Sequence, residues 1–318
     1  MKKKALVIGG TGQIGAYQCK LLLKKNYKVY VTTRKLQKEN NLKKLNILKK
    51  INIIQCTKYS QKKFLDILSD TEPQEIYFYS GISNIPDSFK KKKLTHFSHY
   101  VTCRYLLDAI ILTKKNPKIF IANSVHIFGN IKKKITLNIK KYKPQSPYAK
   151  AKLKVYLLAK QYRKKFKLKI FSGLFLNTES ILRPTNYVIT KICKYVSNIQ
   201  NNKNSKLQLG NINISRDWGW CEEYVLIVWK LLQTKPDDFI IGTGKNFTLK
   251  YMLQSSFKIF NLDWKKHVIY NQNFKRKGDL EKLSADIKKT ILKSKITPKI
   301  YGIRLLKKLI NFYKKNSE

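Results

Sequence analysis

The sequence predicts an α/β protein built on a doubly wound parallel sheet, followed by a smaller carboxyl-terminal domain. Short apolar runs without polar alternation recur through the first half of the chain, and such runs are typical of strands buried on both faces. Longer amphipathic runs lie between them, and strands that alternate with helices form parallel βαβ units. The pattern becomes irregular in the second half, which indicates a domain set at the carboxyl end of the sheet.

The individual elements follow from these runs in chain order. Strands are predicted for residues 4–9, 27–34, 51–56, 75–80, 117–124 and 168–177. Helices are predicted for residues 14–26, 62–70, 100–112 and 146–165. We therefore expect residues 1–175 to form the sheet domain, with segments near 210–245 returning to it. Residues 176–318 are expected to form mainly the second domain.

Composition excludes several classes of protein. The chain has 318 residues, 43% of them hydrophobic, which suits a globular core and not a disordered protein. Its apolar runs are shorter than the roughly 18 residues of a membrane span, and the start MKKKALVI is too short for a secretory signal. We expect a soluble, cytoplasmic protein with no membrane partner. The scattered cysteines and histidines predict neither disulfides nor a metal site.

The charge is extreme, with 67 basic against 18 acidic residues and a formal net charge of +49. Most of the excess is Lys, spread from end to end and not gathered into one arm or stripe. We therefore expect no specific nucleic-acid partner, although salt-dependent non-specific attraction is expected. The same positive field would attract small anionic substrates such as nucleotides.

The segment GGTGQIG predicts a dinucleotide-binding turn of the Rossmann type. Its glycines Gly9, Gly12 and Gly15 follow the first strand and open the first helix. Glycine permits the tight turn and the close approach of a pyrophosphate, and the helix N-terminus offers unpaired N–H groups. The cofactor contacts predicted in this turn are Gly9, Gly12, Gln13, Ile14 and Gly15.

The end of the second strand indicates which dinucleotide binds. Sites for NAD usually place Asp or Glu there, where the carboxylate accepts the ribose hydroxyls. This chain has Arg34 and Lys35, which would bind a 2′-phosphate and therefore predict NADP. The alternative is that they are two more basic residues in a Lys-rich chain.

The segment SPYAKAK carries a candidate catalytic pair. Tyr148 and Lys152 are four residues apart, hence on one face of a helix. A Lys ammonium beside a Tyr and a cationic nicotinamide ring would lower the phenol pKa, so that the Tyr can exchange a proton with a sugar or alcohol hydroxyl. Ser124, at the end of the preceding strand, could share the hydrogen bond to the reacting oxygen.

These motifs together resemble the extended short-chain dehydrogenase/reductase superfamily and, within it, the GDP-mannose 4,6-dehydratase family. The similar blocks are GGTGQIGAY, SPYAKAKLKVY, GLFLNTES, LGNINISRDWGWCEEYV and DDFIIGTGKNFTL. The NTES and LGN…RDWG blocks narrow the resemblance from superfamily to family. The similarity runs over nearly the whole chain.

The resemblance implies a three-step chemistry. The Tyr takes the proton of the sugar C4 hydroxyl while NADP takes the hydride. A base then removes the C5 proton, water leaves from C6, and the hydride returns to C6. The product is a 4-keto-6-deoxy sugar nucleotide, here from a GDP-sugar, and the resemblance also implies a homodimer or homotetramer.

The resemblance also implies roles for single residues. Tyr148 and Lys152 match the family's catalytic Tyr and Lys, and Ser124 matches its catalytic Thr. The implied cofactor contacts outside the glycine turn are Arg34, Lys35, Ser83, Tyr148, Lys152 and Arg183. The implied contacts with the sugar nucleotide, which the second domain would hold, are Asn177, Lys191, Arg216, Arg276 and Glu281.

One departure concerns the elimination step. The family's Glu base at C5 is replaced by His126, and a neutral His with an ordinary pKa can still accept a proton near pH 7. A related cytidine-linked dehydratase family is similar in placing Lys there. His126 could instead be a loop residue with no catalytic part. Two further departures are Cys56, where the family has an Asp near adenine, and Phe128, where it has Tyr.

Other interpretations stay open at this point. The same fold could serve as a GDP-4-keto-sugar reductase or epimerase, which needs no base at C5. The chain could also be a cofactor- or nucleic-acid-binding protein without turnover. Arg216 and Asp217 could form a structural ion pair, Asn177 could cap a turn, and Lys191 could be a solvated charge. Trp218 and Trp220 are expected to pack in a core and not to stack on a base.

Overall fold

The computed structural model describes residues 1–131, 133–199, 205–271 and 280–316. Its strands in chain order are β1 (Lys4–Ile8), β2 (Lys28–Thr33), β3 (Asn52–Gln55), β4 (Glu75–Phe78), β5 (Lys118–Ser124), β6 (Ile170–Phe175), β7 (Asn177–Glu179), β8 (Leu207–Leu209), β9 (Ser215–Arg216), β10 (Trp218–Trp220), β11 (Asp238–Ile241), β12 (Phe247–Thr248) and β13 (Val268–Tyr270). Its helices are α1 (Gln13–Lys24), α2 (Asn41–Lys44), α3 (Gln61–Thr71), α4 (Ile85–Lys90), α5 (Lys92–His96), α6 (Thr102–Leu112), α7 (Pro147–Lys165), α8 (Val188–Ser197), α9 (Cys221–Leu231), α10 (Leu249–Lys258), α11 (Lys288–Ser294) and α12 (Gly302–Lys315).

The central sheet has seven parallel strands in the order β11-β6-β5-β4-β1-β2-β3. The chain starts in the middle at β1 and winds outward in both directions, so the strand order reverses between β1 and β4. This confirms the predicted doubly wound sheet and all six of its predicted strands. The seventh strand, β11, was not predicted as a strand and joins the edge beside β6.

The strands of this sheet are apolar on both faces because helices cover both. In β1, Ala5 and Val7 face a core shared with α1 and α9, whereas Leu6 and Ile8 face a core shared with α3, α6 and α7. Since successive side chains of a strand point to opposite faces, double coverage demands an unbroken apolar run. This packing explains the continuous apolar runs seen in the sequence.

A second layer of short strands stands at the carboxyl edge of the sheet. It contains the parallel pairs β7–β10 and β8–β13 and the antiparallel pair β9–β12. Trp218 and Trp220 are 1% and 2% exposed, and they pack in a core with α8, α10 and α12. Burial of this extent matches the packing role expected for the two tryptophans.

The path of the chain links the two layers more than once. It leaves β6 for β7, then returns through α9 and β11 to the large sheet. The boundary predicted at residue 175 falls between β6 and β7 and stays a prediction.

The described ranges contain neither a candidate membrane-spanning helix nor a candidate cluster of metal ligands. Within those ranges no helix combines the length and the apolar content that crossing a bilayer requires. The same ranges contain no group of three or more His, Cys, Asp and Glu side chains that could hold a metal ion. All five cysteines are buried and free.

Candidate functional site

The glycine turn lies between β1 and α1, at the carboxyl edge of the sheet. Gly9 has a φ of +81°, and a Cβ at Gly15 would lie 2.4 Å from the Gly9 carbonyl oxygen. The Gly12 N–H donates to that oxygen at 3.1 Å, and Gly12 is the N-cap of α1. A glycine N-cap has no side chain to cover the first N–H groups of the helix, which lack intrahelical acceptors. The turn therefore fits the pyrophosphate of a dinucleotide.

A cleft of about 610 Å³, here called the glycine cleft, continues from this turn along the end of β2. Arg34 and Lys35 line it and are exposed, and Lys44 from α2 lines it as well. The Glu39 carboxylate also lines this cleft, but its Oε1 pairs with Lys43 Nζ at 2.5 Å. Arg34, Lys35 and Lys44 thus all line the glycine cleft. Lys44 was not predicted, because nothing in the sequence links α2 to this cleft.

A second cavity, here called the reaction cleft, has a volume of about 270 Å³. It lies where the carboxyl edge of the large sheet meets the layer of short strands. Of the predicted residues, it brings together Ile14, Ser83, Ser124, His126, Tyr148, Asn177, Arg183, Lys191 and Arg216. A concave site with a few converging polar groups is the usual form of a binding site for a small molecule.

Ser124 ends β5, and a 3₁₀ turn of residues Val125–Phe128 follows it. The Ser124 Oγ accepts a hydrogen bond from the His126 backbone N–H at 3.3 Å, which fixes the start of that turn. The Ser124 side chain also lies near the Tyr148 phenol and favours a lower pKa of that phenol. The strand end therefore places the Ser hydroxyl directly beside the candidate catalytic phenol.

Tyr148 and Lys152 lie on the first turns of α7. Ser146 is the N-cap of this helix and accepts from Ala149 N, and Pro147 occupies the first helical position. Lys152 is 6% exposed, and its Nζ donates to the Ala122 carbonyl oxygen at 2.7 Å and lies 5.9 Å from the Tyr148 ring centroid. The three predicted residues Ser124, Tyr148 and Lys152, here called the catalytic trio, thus lie together, with Lys152 anchored to β5.

The electrostatics of this trio differ from expectation. Burial raises the pKa of Tyr148. Ser124 and the Arg183 charge act in the opposite direction, but their effects are smaller than that of burial. Burial also lowers the pKa of Lys152 to about 8. The protein groups alone therefore do not lower the phenol pKa, because desolvation outweighs them, and the lowering expected beside a cationic nicotinamide ring stays a prediction.

His126 lies beside the same phenol. Its ring centroid is 6.1 Å from that of Tyr148, with the rings nearly perpendicular. Burial, and secondarily the Arg216 charge, lower the pKa of His126 to about 4. The ordinary pKa assumed from the sequence is therefore wrong, and the imidazole is neutral but weakly basic at pH 7.

The polar groups of the second layer face the same cleft. Asn177 opens β7, and Lys191 on α8 donates from Nζ to the Gln208 carbonyl oxygen at 2.8 Å. Arg216 is 4% exposed and donates to the carbonyl oxygens of Ser215, Glu281 and Leu280. Backbone groups therefore fix the guanidinium of Arg216, which lines the reaction cleft.

The remaining predicted substrate residues are placed differently. The Glu281 backbone oxygen accepts from Arg216 Nη1 at 3.1 Å, while the residue itself is exposed. Arg276 lies outside the described residues.

Asp217 accepts from the N–H groups of Thr243 and Gly244, and burial raises its pKa to about 6. Asp217 thus fastens the turn after β11.

A polar chain links the glycine turn to the second layer. Gln13 Nε2 donates to the Thr178 carbonyl oxygen at 3.1 Å, and Arg183 Nη1 donates to Gln13 Oε1 at 3.2 Å. Arg183 Nε lies 3.8 Å from Glu179 Oε2, and its guanidinium covers the Tyr187 ring at 3.7 Å. Glu179, 2% exposed, also lines the reaction cleft and was not predicted as a site residue.

Known proteins are similar to this chain in sequence and in fold. A family model described as GDP-mannose 4,6 dehydratase matches residues 6–301. GDP-mannose 4,6 dehydratase 1 of Arabidopsis thaliana is 30% identical over 98% of this chain and 89% of its own length. GDP-mannose 4,6-dehydratase of Vibrio cholerae is 29% identical over 81% of this chain and 72% of its own length.

Solved structures show the same architecture at lower identity. UDP-glucose 4-epimerase of Thermotoga maritima with UDP-glucose superimposes with a TM-score of 0.85 at 18% identity, covering 99% of this chain and 100% of that one. dTDP-glucose 4,6-dehydratase of Bacillus anthracis in complex with NAD gives 0.83 at 17% identity, covering 99% and 97%. These likenesses support the fold, and the family match over nearly the whole chain confirms the resemblance inferred from the sequence. The chain belongs to the GDP-mannose 4,6 dehydratase family.

Proposed function

We propose that this protein is an NADP-dependent dehydratase that converts GDP-mannose, or a close GDP-sugar, into a GDP-4-keto-6-deoxy sugar. The observation that carries the proposal is the reaction cleft, where Ser124 and Tyr148, with Lys152 buried beside them, face Asn177 and Arg216. Proton-transfer groups at one end and amide and guanidinium groups at the other suit a sugar attached to a diphosphate.

The residues around Tyr148 suit oxidation at the sugar C4. A nicotinamide cofactor, when bound, supplies a reversible hydride acceptor and a positive charge. The Tyr148 oxygen, as phenolate, accepts the proton of the C4 hydroxyl and becomes the neutral phenol, and the Ser124 hydroxyl hydrogen-bonds to the same sugar oxygen. Lys152, held by the Ala122 carbonyl, keeps its ammonium 5.9 Å from the Tyr148 ring centroid, where it would act with the positive charge of a bound nicotinamide ring to favour the phenolate.

Beside Tyr148, the reaction cleft offers His126 for removal of the C5 proton. A C4 ketone acidifies the neighbouring C–H bond, and the neutral imidazole has a lone pair to accept its proton. Since the pKa of His126 is lowered to about 4, the ring stays unprotonated through the neutral range, but its driving force as a base is small. We therefore expect elimination to limit the turnover rate.

The preference for NADP rests on the cations of the glycine cleft. Arg34, Lys35 and Lys44 can surround a 2′-phosphate, whereas the Glu39 carboxylate is already paired with Lys43. Tighter binding of NADP than of NAD, measured by fluorescence titration, tests this preference. Equal affinities would remove it.

The principal experiment follows the product. The purified chain is incubated with GDP-mannose and NADP in deuterated water, and the product is identified by NMR and mass spectrometry. We expect a GDP-4-keto-6-deoxy sugar with solvent deuterium at C5, since the C5 proton leaves during elimination. GDP-glucose, UDP-glucose and dTDP-glucose are the matched alternative substrates. If the cofactor binds and none of the four is dehydrated, the proposal is wrong.

The weak basicity of His126 favours one second candidate, a GDP-4-keto-sugar reductase or epimerase. Such an enzyme needs Ser124, Tyr148 and Lys152 but no base at C5. Net consumption of the reduced cofactor distinguishes a reductase, because a dehydratase recycles it, and epimerised substrate distinguishes an epimerase.

Substitution of His126 separates these candidates further. In a dehydratase, His126→Gln should slow elimination roughly 100-fold, because the general base is lost, while C4 oxidation persists. The dehydration rate of the wild-type chain should fall only as the pH approaches about 4, where His126 protonates, and not near 6.5. A His126→Gln variant that dehydrates at the wild-type rate would show that another group removes the proton.

The assembly and the location of the protein stay predictions. A homodimer or homotetramer is expected, and light scattering coupled to size-exclusion chromatography measures it. A cytoplasmic location is tested by fractionation of cells that produce the full chain.

A further inference from the structure

His99 lies behind the catalytic trio, at a position to which the sequence assigned no role. It is 2% exposed and sits in a π-helical turn, Phe97–Val101, between α5 and α6. The Thr102 Oγ1 donates to the Phe97 carbonyl oxygen at 2.9 Å and stabilises this turn. Since π turns occur rarely and often at functional sites, the local irregularity singles out the residues that it carries.

One side of the His99 ring supports the loop that follows β4. A Cβ added at Gly81, whose φ is +127°, would lie 2.0 Å from the imidazole, so the loop backbone rests directly on the ring. The Ile82 carbonyl oxygen is 2.9 Å from His99 Nε2. Because a carbonyl can only accept, Nε2 carries the hydrogen.

That loop borders both cavities. Ser80 and Gly81 line the glycine cleft, and Ser83 lines the reaction cleft. A residue that fixes the loop backbone therefore helps to fix the shape of the surface against which the dinucleotide would bind.

The other side of the ring contacts Tyr148. The His99 centroid is 5.6 Å from the Tyr148 centroid at an interplanar angle of 74°, which is an edge-to-face contact. Burial, and secondarily the Lys152 charge, hold the pKa of His99 well below its ordinary value, so the ring is neutral. A neutral imidazole adds no charge that would compete with Lys152 beside the phenol.

We propose that His99 is a positioning residue that holds the Tyr148 ring and the residue 80–82 loop in one fixed arrangement. It acts through Tyr148 and the loop and does not itself exchange protons with the sugar. The inference rests on the proposed function, because it assumes that Tyr148 reacts beside a bound dinucleotide. Misplacement of a reacting group by about 1 Å can cost roughly 100-fold in rate, so this packing bears on turnover.

Two variants separate the two contacts. His99→Gln keeps an N–H donor for the Ile82 carbonyl and loses the ring, whereas His99→Phe keeps a ring against Tyr148 and loses the donor. His96→Gln is the matched control, since His96 lies one turn earlier and packs against Tyr100 instead. Thermal unfolding, dinucleotide affinity, kcat and KM are measured for all three and for the wild type.

We expect His99→Gln to lower kcat roughly 10- to 100-fold with little change in KM or in dinucleotide affinity. We expect His99→Phe to weaken dinucleotide binding roughly 10-fold and to lower kcat less than His99→Gln does. His96→Gln should resemble the wild type. If both His99 variants alter only the unfolding temperature, with affinity and kcat of the folded protein unchanged, the role is merely structural and the proposal is wrong.

Failure of the proposed function gives a different result. If the wild-type chain binds a dinucleotide but turns over no GDP-sugar, the dehydratase assignment falls, and affinity alone decides the role of His99. If His99→Phe binds the dinucleotide more weakly than the wild type does and His99→Gln binds it equally well, the positioning role of His99 is still supported. If the wild type and both variants bind the dinucleotide equally well, that role is overturned. A wild-type chain that binds neither NADP nor NAD overturns both.

Discussion

The two sides of the reaction cleft are built in different ways. On the large-sheet side, Ser124 ends a seven-residue strand inside a parallel sheet, and Lys152 is anchored to that strand. On the other side, Asn177 and Arg216 sit on strands of three and two residues. Arg216 owes its position to carbonyl groups from residues 280 and 281, more than sixty positions along the chain. The first side is positioned by regular secondary structure and the second by individual long-range hydrogen bonds.

The largest effect is expected on the large-sheet side, from Tyr148→Phe. Loss of the phenol oxygen removes the proton acceptor, so kcat should fall about 100- to 10,000-fold, the usual contribution of general acid–base catalysis. The ring and the helix remain, so dinucleotide affinity should stay near the wild-type value. Steady-state kinetics and fluorescence titration measure the two quantities. A variant that keeps most of its activity would exclude Tyr148 as the proton acceptor.

Gly15→Ala tests the rigidity of the same side. The new Cβ would meet the Gly9 carbonyl oxygen at 2.4 Å, and backbone atoms cannot yield as a flexible side chain would. Overpacking of this kind costs about 1–3 kcal/mol, which corresponds to a roughly 5- to 150-fold loss of dinucleotide affinity if the turn must open. Gly12→Ala is the graded control, because its Cβ would lie 3.3 Å from the same oxygen. Equal affinities for both variants would contradict the packing argument.

Asp217→Ala tests the opposite side. It removes the acceptor for the buried N–H groups of Thr243 and Gly244, and an orphaned buried donor costs about 1–3 kcal/mol. Because the substitution lies in the short-strand layer, we expect a lower free energy of unfolding and a higher KM for the GDP-sugar. Dinucleotide affinity should change less. Chemical denaturation gives the free energy of unfolding. Asp217→Asn keeps one acceptor oxygen and should cost less.

The stability of the wild type should also depend on Asp217 through pH. Burial raises its folded-state pKa from 3.8 to about 6, so its contribution is fully present below 3.8 and is lost as the pH rises through 6. The wild type should therefore gain stability relative to Asp217→Asn as the pH falls from 7.5 to 5. Parallel denaturation curves at both pH values check this, and a constant difference would argue against the raised pKa.

The smallest effect is expected from Arg34→Ala. Loss of one cation at the end of β2 should weaken NADP binding roughly 10-fold and leave NAD binding unchanged, because only NADP carries the 2′-phosphate. Since Arg34 is exposed, the difference should shrink as salt is added. Equal losses for the two dinucleotides would place Arg34 away from that phosphate.

The same contrast explains what the sequence could predict. The strands of the large sheet follow from local apolar runs, because double burial constrains every residue of β1 or β5. Strand β11 has four residues, and its partner β6 lies more than sixty positions earlier, so no local pattern distinguishes it from an ordinary apolar run. Short strands such as β9 and β12 are equally invisible to a periodicity argument.

The residues of the candidate site show the same contrast between what local sequence predicts and what depends on distant contacts. Ser124, Tyr148 and Lys152 could be predicted together because strand end and helix start follow one another in a parallel sheet. The pKa of His126 could not, since it depends on burial and on Arg216, ninety positions away. The role proposed for His99 depends on loop backbone packed against its ring, and a single His in a helix carries no sign of that contact.

The route of the chain through β11 has a consequence for protein engineering. Transplanting the specificity half of a relative onto this chain with one junction, after β6, would exchange α9 and β11 along with the short strands. The recipient's β6 and α1 would then have to pair and pack with a β11 and an α9 from the donor. A working chimera therefore needs junctions on both flanks of residues 221–241, so that this returning segment stays with the recipient while its surroundings are exchanged.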